Sequence, residues 1–109
     1  MSDIDAIMGE LIKFRNDRDW EQFHNPKDLA LAISVEAGEL LELFLWKEAT
    51  EAKAEKVKEE LADVLTFSFL LAHKYGLDIK QIILEKMSAN AKKYPVDKAK
   101  GNARKYNEL

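Results

Sequence analysis

Residues 25–47 read NPKDLALAISVEAGELLELFLWK, and this apolar segment indicates a helical protein. Asn25 is a good helix cap, and Pro26 suits the first turn of a helix. The aliphatic residues that follow recur at spacings of three and four, which predicts a helix from about 27 to 47. Apolar residues cover most of its circumference, so we expect the helix to be largely buried.

Another helical segment lies before this one in the chain. Residues 2–18 carry apolar side chains at spacings of three and four, with Phe14 or Arg15 at the last position of the stripe. This spacing predicts an amphipathic helix. The segment from Asp17 to Pro26 interrupts the periodicity and forms a connection.

Two further helices are predicted after the polar residues 48–56. The first continues to about Tyr75, and the second runs from about Asp78 to Tyr94. The remaining residues, about 95–109, show little periodicity and predict a basic C-terminal tail. With only four Gly and two Pro in 109 residues, a turn-rich β protein is unfavourable. We therefore predict one all-α domain over residues 1–109, built as a four-helix bundle.

Composition narrows the function classes. The net charge is −3, a poor match for a protein that binds a nucleic acid polymer through a broad basic face. The absence of cysteine excludes disulfides and thiolate metal sites. No apolar run is long enough to cross a membrane, and the acidic start MSDIDAIMGE does not resemble a signal peptide. We expect a cytoplasmic protein without a membrane partner.

Two carboxylates lie within the apolar stripe of the helix predicted from about 27 to 47. On a helical wheel Glu36 falls among Leu29 and Leu40, and Glu39 falls beside Ala32. A buried carboxylate is costly unless it is paired or binds a metal ion. Two of them spaced three residues apart also repel each other.

The predicted helix that follows residues 48–56 repeats this pattern. Its Glu60 and Asp63 share a face with Val64 and Phe67. If the two faces meet, four carboxylates converge with no neighbouring run of cations. An all-oxygen ligand set favours Mg²⁺, for which Mn²⁺ can substitute. The alternative is that these pairs lie on solvated helix faces, where most charged residues are found.

The aromatic residues and the histidines leave several interpretations open. Trp20, Phe23 and Trp46 fit either packing and subunit contacts or a stacking pocket for a nucleobase. His24 follows Glu21 at the spacing found in di-iron bundles, but the required second such pair is missing, which counts against a redox carboxylate bundle. His73 is expected on a helix surface. A non-catalytic helical dimer that binds a partner is a further alternative.

The paired acidic motif EAGE at 36–39 and ELAD at 60–63 resembles the signature of the all-α MazG-like nucleoside triphosphate pyrophosphohydrolases. The resemblance is closer to the dCTP pyrophosphatase branch and covers most of the chain. The segments that carry it include RDWEQFH at 18–24, Trp46-Lys47, Lys86-Met87, Asn90, KYP at 93–95 and RKY at 104–106.

The resemblance implies an activity: a nucleoside triphosphate and water give the monophosphate and pyrophosphate, with dCTP or a related pyrimidine as substrate, which would cleanse the nucleotide pool. It implies a homo-oligomer, either a dimer or a tetramer. It also implies roles for individual residues. Glu36, Glu39, Glu60 and Asp63 would bind Mg²⁺, and Trp20, Glu21, Gln22, Phe23, His24 and Trp46 would contact the nucleotide.

Two positions depart from the family pattern. Phe67 occupies a position where the eukaryotic dCTP enzymes carry Tyr, so it can stack on a base but cannot donate a hydrogen bond. Leu11 occupies a position that carries His in those enzymes. For the chemistry, Glu36 or Glu39 is our hypothesis for the group that activates the attacking water. Lys93 and the basic tail are candidates for contacts with the phosphates.

Overall fold

The computed structural model describes residues 2–109, which form five α-helices. They are α1 (Asp3–Asp17), α2 (Pro26–Glu42), α3 (Ala54–Lys74), α4 (Ile79–Lys93) and α5 (Val96–Ala99). Short 3-10 turns lie at Glu21–Phe23, Ala49–Glu51 and Tyr106–Glu108. Residues 2–109 contain no strand, which confirms the predicted all-α class. None of their helices combines the length and the apolarity needed to cross a bilayer.

Side-chain caps begin α2 and α4 at the predicted places. The Asn25 side chain accepts the backbone N–H of Asp28 at 2.9 Å and starts α2. The Asp78 side chain accepts the N–H of Gln81 at 2.8 Å and starts α4. Each bond satisfies one backbone donor that lacks a partner within its helix.

The second helix ends earlier than the periodicity predicts, at Glu42 rather than about residue 47. Beyond it the backbone N–H groups of Phe44 and Leu45 bond to carbonyls three residues back, at 3.0 and 3.1 Å. This tighter pattern continues to Trp46, whose φ of +59° is left-handed. Apolar spacing persists through these turns, which is why the sequence alone extends the helix.

The predicted C-terminal tail contains local structure. Pro95 leads into the single turn of α5, and the rings of Tyr94 and Tyr106 meet edge to face with centroids 6.2 Å apart. The Nζ of Lys93 lies 4.9 Å from the centroid of the Tyr106 ring. Sequence periodicity missed these features because α5 is a single turn and the ring contact is not helical.

Contacts divide the chain into two compact units, one ending at Leu77 and the other spanning Asp78–Leu109. In the first unit, α2 packs along α3, and α1 also packs against α3. Leu29, Leu70 and Ala72 are the buried apolar side chains there. The single domain and the four-helix bundle stay predictions.

Candidate active site

Three carboxylates from two packed helices meet in the first unit. Glu36 comes from α2, and Glu60 and Asp63 come from α3. One oxygen of each lies within 4.8 Å of the other two. Glu36 lies six residues before the end of α2, and Glu60 lies six residues after the start of α3. This equal spacing is the register expected of two antiparallel neighbours that follow each other in the chain.

Glu39 lies next to this trio. Among residues 2–109 it is not part of the set whose oxygens all fall within 4.8 Å. Its carboxyl nevertheless contacts those of Glu36 and Glu60, and its charge raises the pKa of both. Glu36 and Glu60 are half-buried, whereas Glu39 and Asp63 are exposed. The four predicted ligands are therefore neighbours, with two inside the apolar surface and two at its edge.

The electrostatics of this cluster disfavour ionisation. Burial is the largest cause of the raised pKa of Glu36, and together with contact with Glu39 and the negative charges of Glu39 and Asp63 it raises this pKa from an ordinary 4.5 to about 7. Burial is also the main cause of the raised pKa of Glu60, followed by contact with Glu39. None of the ion pairs within residues 2–109 involves these four carboxylates.

The cluster has unused ligand atoms that fit a hard divalent cation. The Oε2 atoms of Glu36 and Glu60 are buried, and within the described part of the chain neither has a hydrogen-bond partner. Unpaired buried acceptors are costly, and a cation supplies what they lack. All of the candidate ligand atoms are carboxylate oxygens, the ligand type that Mg²⁺, Ca²⁺ and Mn²⁺ prefer.

An aromatic cavity of about 220 Å³ adjoins the carboxylates, because Asp63 belongs to both. Its walls include Trp20, Phe67 and His24, which were predicted to contact a nucleotide. Leu11 lines the same cavity. The structure thus brings part of the predicted base pocket next to the predicted metal ligands.

A turn at the end of α1 positions Trp20. The N–H of Trp20 donates to the carbonyl of Arg15 at 3.1 Å, which folds the chain back onto the helix. The Trp20 ring then meets Phe14 edge to face, with centroids 5.9 Å apart. The left-handed φ of Asp19, +54°, makes this reversal possible, and Asp tolerates that conformation better than most residues do.

His24 also lines the cavity, beside Phe67 of α3. Its ring meets Phe67 edge to face at a centroid distance of 6.3 Å. Burial lowers the pKa of His24, and the positive charges of Arg15 and Lys74 lower it further. Its Nδ1 is buried without a hydrogen-bond partner. His73, as predicted, is exposed on α3.

Glu21 and Gln22 make contacts within the protein. Glu21 pairs with Lys74 at 3.4 Å and with Arg15 at 3.6 Å. The Nε2 of Gln22 donates to the carbonyl and the carboxylate of Asp19, at 3.0 and 3.1 Å. These bonds hold the 18–24 loop in shape, and direct contact of either residue with a nucleotide stays a prediction.

The remaining predicted contact residues lie outside the cavity. Phe23 is exposed, and Trp46 is 95% exposed in the turn after α2. Lys93 belongs to the C-terminal unit, where its ammonium group makes a cation–π contact with the Tyr106 ring. Their roles in binding stay predictions.

Arg15 is a charged residue of the cavity that the sequence prediction did not include. It lines the cavity, is 4% exposed and pairs with Glu21. A signal was present, because Arg15 follows Leu11 and Ile12 at apolar-stripe spacing. A charged residue at a predicted buried position was the clue used for Glu36, and it applies equally here.

Comparison with known proteins agrees with the motif analysis. The MazG-like family model matches residues 31–109. The chain is 42% identical over 105 residues to dCTP pyrophosphatase 1 of Mus musculus and 41% identical to that of Homo sapiens. Each alignment covers 89% of this chain and 62% of the relative, so the chain spans less than two thirds of these relatives' length.

A solved structure is also similar. A crystal structure of a pyrophosphatase from Archaeoglobus fulgidus superposes with a TM-score of 0.82 at 33% sequence identity, over 87% of this chain and 94% of that one. The predicted resemblance is thereby confirmed. With most of its length matched by the family model and a close structural relative at this identity, the chain belongs to the MazG-like family.

Proposed function

We propose that the protein is a Mg²⁺-dependent nucleoside triphosphate pyrophosphohydrolase that prefers dCTP or a modified pyrimidine nucleotide. The observation that carries this proposal is the shared position of Asp63, which belongs to the carboxylate cluster and to the aromatic cavity. A nucleotide with its base in the cavity could place its phosphates at the carboxylates. The similarity to proteins named dCTP pyrophosphatase 1 supports the same substrate class. The biological role would be removal of such nucleotides from the cytoplasmic pool.

The metal ligands would be Glu36, Glu39, Glu60 and Asp63, with Mn²⁺ able to replace Mg²⁺. When bound, Mg²⁺ neutralises polyphosphate charge and polarises the phosphorus centre under attack. The unpartnered oxygens of Glu36 and Glu60 support this assignment. Glu39, at the exposed edge of the cluster, would face substrate and solvent.

Hydrolysis needs a base for the attacking water. Glu36 or Glu39 would accept the proton as the water oxygen bonds to the α-phosphorus. The bond from the α-phosphorus to the bridging oxygen breaks, and pyrophosphate leaves with the electron pair.

The substrate-binding residues would form two groups. Trp20, His24 and Phe67 line the cavity and would enclose the base. Trp46 and Phe23 expose large aromatic surfaces, which could close over the nucleotide or meet a second subunit. Glu21 and Gln22 support the loop, and Lys93 would contact phosphates.

Self-association is the second part of the proposal. On α2, Leu31 and Val35 expose more than half of their surface, and Gly38 continues the same row. An apolar groove of about 350 Å³ lies between α1 and α3, with Ile7 and Leu65 among its lining residues. Exposed apolar surface of this kind is typical of subunit interfaces. We infer a homodimer or a dimer of dimers, within which the four-helix bundle would be completed.

The exposed row on α2 gives a test of self-association. We expect the double variant Leu31→Lys/Val35→Lys to sediment as a smaller species than the unmodified chain, because two charges would be buried at the interface. Ala37→Lys, which places a charge at an exposed position on another side of the same helix, should sediment like the unmodified chain. An unmodified chain that sediments as a monomer at micromolar concentration would contradict the proposal.

The activity is tested by product analysis. The protein is incubated with each dNTP and NTP in the presence of Mg²⁺ or a chelator, and the products are separated. We expect monophosphate and pyrophosphate in equal amounts, loss of both with chelator, and dCTP among the best substrates.

Other outcomes would point elsewhere. Diphosphate and phosphate would contradict the proposed cleavage position. The absence of product from every nucleotide would favour a helical module that binds a partner through its exposed apolar faces.

A further inference from the structure

Arg15 is a buried cation with an unused donor. Its Nε donates to Asn16 Oδ1 at 3.1 Å, and its Nη2 lies 3.6 Å from Glu21 Oε2. Its Nη1 is buried and has no hydrogen-bond partner among residues 2–109. A buried donor without an acceptor is costly, so this nitrogen calls for a ligand group.

The cavity beside Arg15 suits a single ring. Trp20 and Phe67 supply aromatic wall, and Leu11 and Leu70 supply apolar wall. A cavity of about 150 Å³ is enough to hold benzene. The 220 Å³ present here therefore has room for one six-membered ring with its substituents.

Arg15 is the fixed cation of this cavity. Burial and the positive charges of Arg15 and Lys74 lower the pKa of His24, which disfavours its charged form. The carboxylate of Glu21 forms an ion pair with Nη2 of Arg15 and a second ion pair with Lys74. These contacts leave Nη1 as the free part of the guanidinium.

We propose that Arg15 is a specificity-determining residue whose Nη1 donates to the N3 and O2 acceptors of a cytosine base. This inference rests on the proposed function and deepens it. The aromatic walls would hold the ring, and Arg15 would distinguish one pyrimidine from another.

The donor pattern is the reason for choosing cytosine. A guanidinium only donates hydrogen bonds, and Nη1 carries two hydrogens. Cytosine presents two adjacent acceptors, N3 and O2. In uracil and thymine N3 carries a hydrogen, so two donors would face each other. A site that pairs a buried polar group with a substrate rejects analogues that leave the group unpaired.

The protein-side test compares Arg15→Gln with Lys13→Gln. Lys13 lies on the same helix, is exposed and pairs with Asp17, so it controls for loss of a positive charge. For Arg15→Gln we expect kcat/KM to fall about 10- to 100-fold for dCTP and less than about 3-fold for dTTP. Lys13→Gln should leave the ratio of the two substrates unchanged. An unchanged ratio in Arg15→Gln would overturn the inference.

A ligand-side test leaves the protein intact, so it also decides the matter if Arg15→Gln does not fold. The unmodified protein is given 3-deaza-dCTP, in which a C–H replaces N3, and the 2-pyrimidinone analogue, which lacks only the 4-amino group. We expect at least a 10-fold lower kcat/KM for 3-deaza-dCTP than for dCTP, and a smaller loss for the pyrimidinone. Equal hydrolysis of dCTP and 3-deaza-dCTP would overturn the inference.

These outcomes separate the inference from the proposed function. Hydrolysis of dNTPs with no sensitivity to N3 contradicts only the role of Arg15. If the unmodified protein hydrolyses no nucleotide, the proposed function fails and the inference fails with it.

Discussion

Glu39→Gln is expected to lower kcat for the preferred nucleotide by about 1000-fold or more. The substitution keeps the size of the side chain but removes a negative charge from a cluster that includes Glu36 and Glu60. Loss of a positioned base alone reduces turnover by about 100- to 10,000-fold, and weakened metal binding adds to that loss. Steady-state kinetics over a range of Mg²⁺ concentrations measure the effect.

Folding is not expected to suffer in this variant. Glu39 is exposed and its charge raises the pKa of its neighbours, so removing it relieves repulsion in the metal-free protein. The helical circular dichroism should be unchanged and the metal-free Tm equal or higher. Glu42→Gln is the matched control, because Glu42 is exposed one turn further along α2 and lies outside the carboxylate set. Turnover by Glu39→Gln at the level of Glu42→Gln would remove Glu39 from the site.

The second large effect is a link between pH, metal and stability. The pKa of Glu36 is about 7 in the folded chain, above its ordinary 4.5, and that of Glu60 is raised as well. Between pH 4.5 and about pH 7 the folded state binds more protons than the unfolded state. The stability that these groups contribute is therefore lost as the pH rises through this range. His24, whose pKa is lowered, acts in the opposite direction below its ordinary 6.5.

Divalent metal should reverse the loss. The protein with chelator is expected to lose stability from pH 5 to pH 8 relative to a Glu36→Gln variant, which isolates the carboxylate from His24. Mg²⁺ at about 100 times its Kd should add about 2.7 kcal/mol, which raises Tm by on the order of 10 °C. The increase should be larger at pH 8 than at pH 5, because protons compete with metal for the carboxylates.

Thermal denaturation followed by circular dichroism across this pH range checks both trends. Glu36→Gln should show a smaller response to Mg²⁺ than the unmodified protein. A Mg²⁺ effect of equal size at pH 5 and pH 8 would contradict a carboxylate site. So would an equal response in the variant.

The helices could be predicted because their signals are local. Caps such as Asn25 and Asp78 bond to backbone groups three residues away, and apolar periodicity needs no knowledge of the partner surface. The end of α2 could not be predicted in this way. Its apolar spacing continues, whereas the hydrogen bonds tighten and Trp46 adopts a left-handed φ.

The carboxylate cluster was partly predictable for a related reason. A charge within an apolar stripe, as at Glu36, indicates a compensating partner even when that partner is unknown. The same rule applied to Arg15 would have indicated a buried cation. Arg15 gives this signal at the end of the apolar stripe, whereas Glu36 gives it in the middle of one.

Local sequence thus determined which segments are helical and which charges would have to be compensated, since both depend on spacing along one helix. The packing of α1 and α2 against α3 decided which groups meet. It brought Asp63 to both the carboxylates and the aromatic cavity, and it left Nη1 of Arg15 without an acceptor. Distances between side chains on different helices depend on crossing and register, and no single helix encodes them.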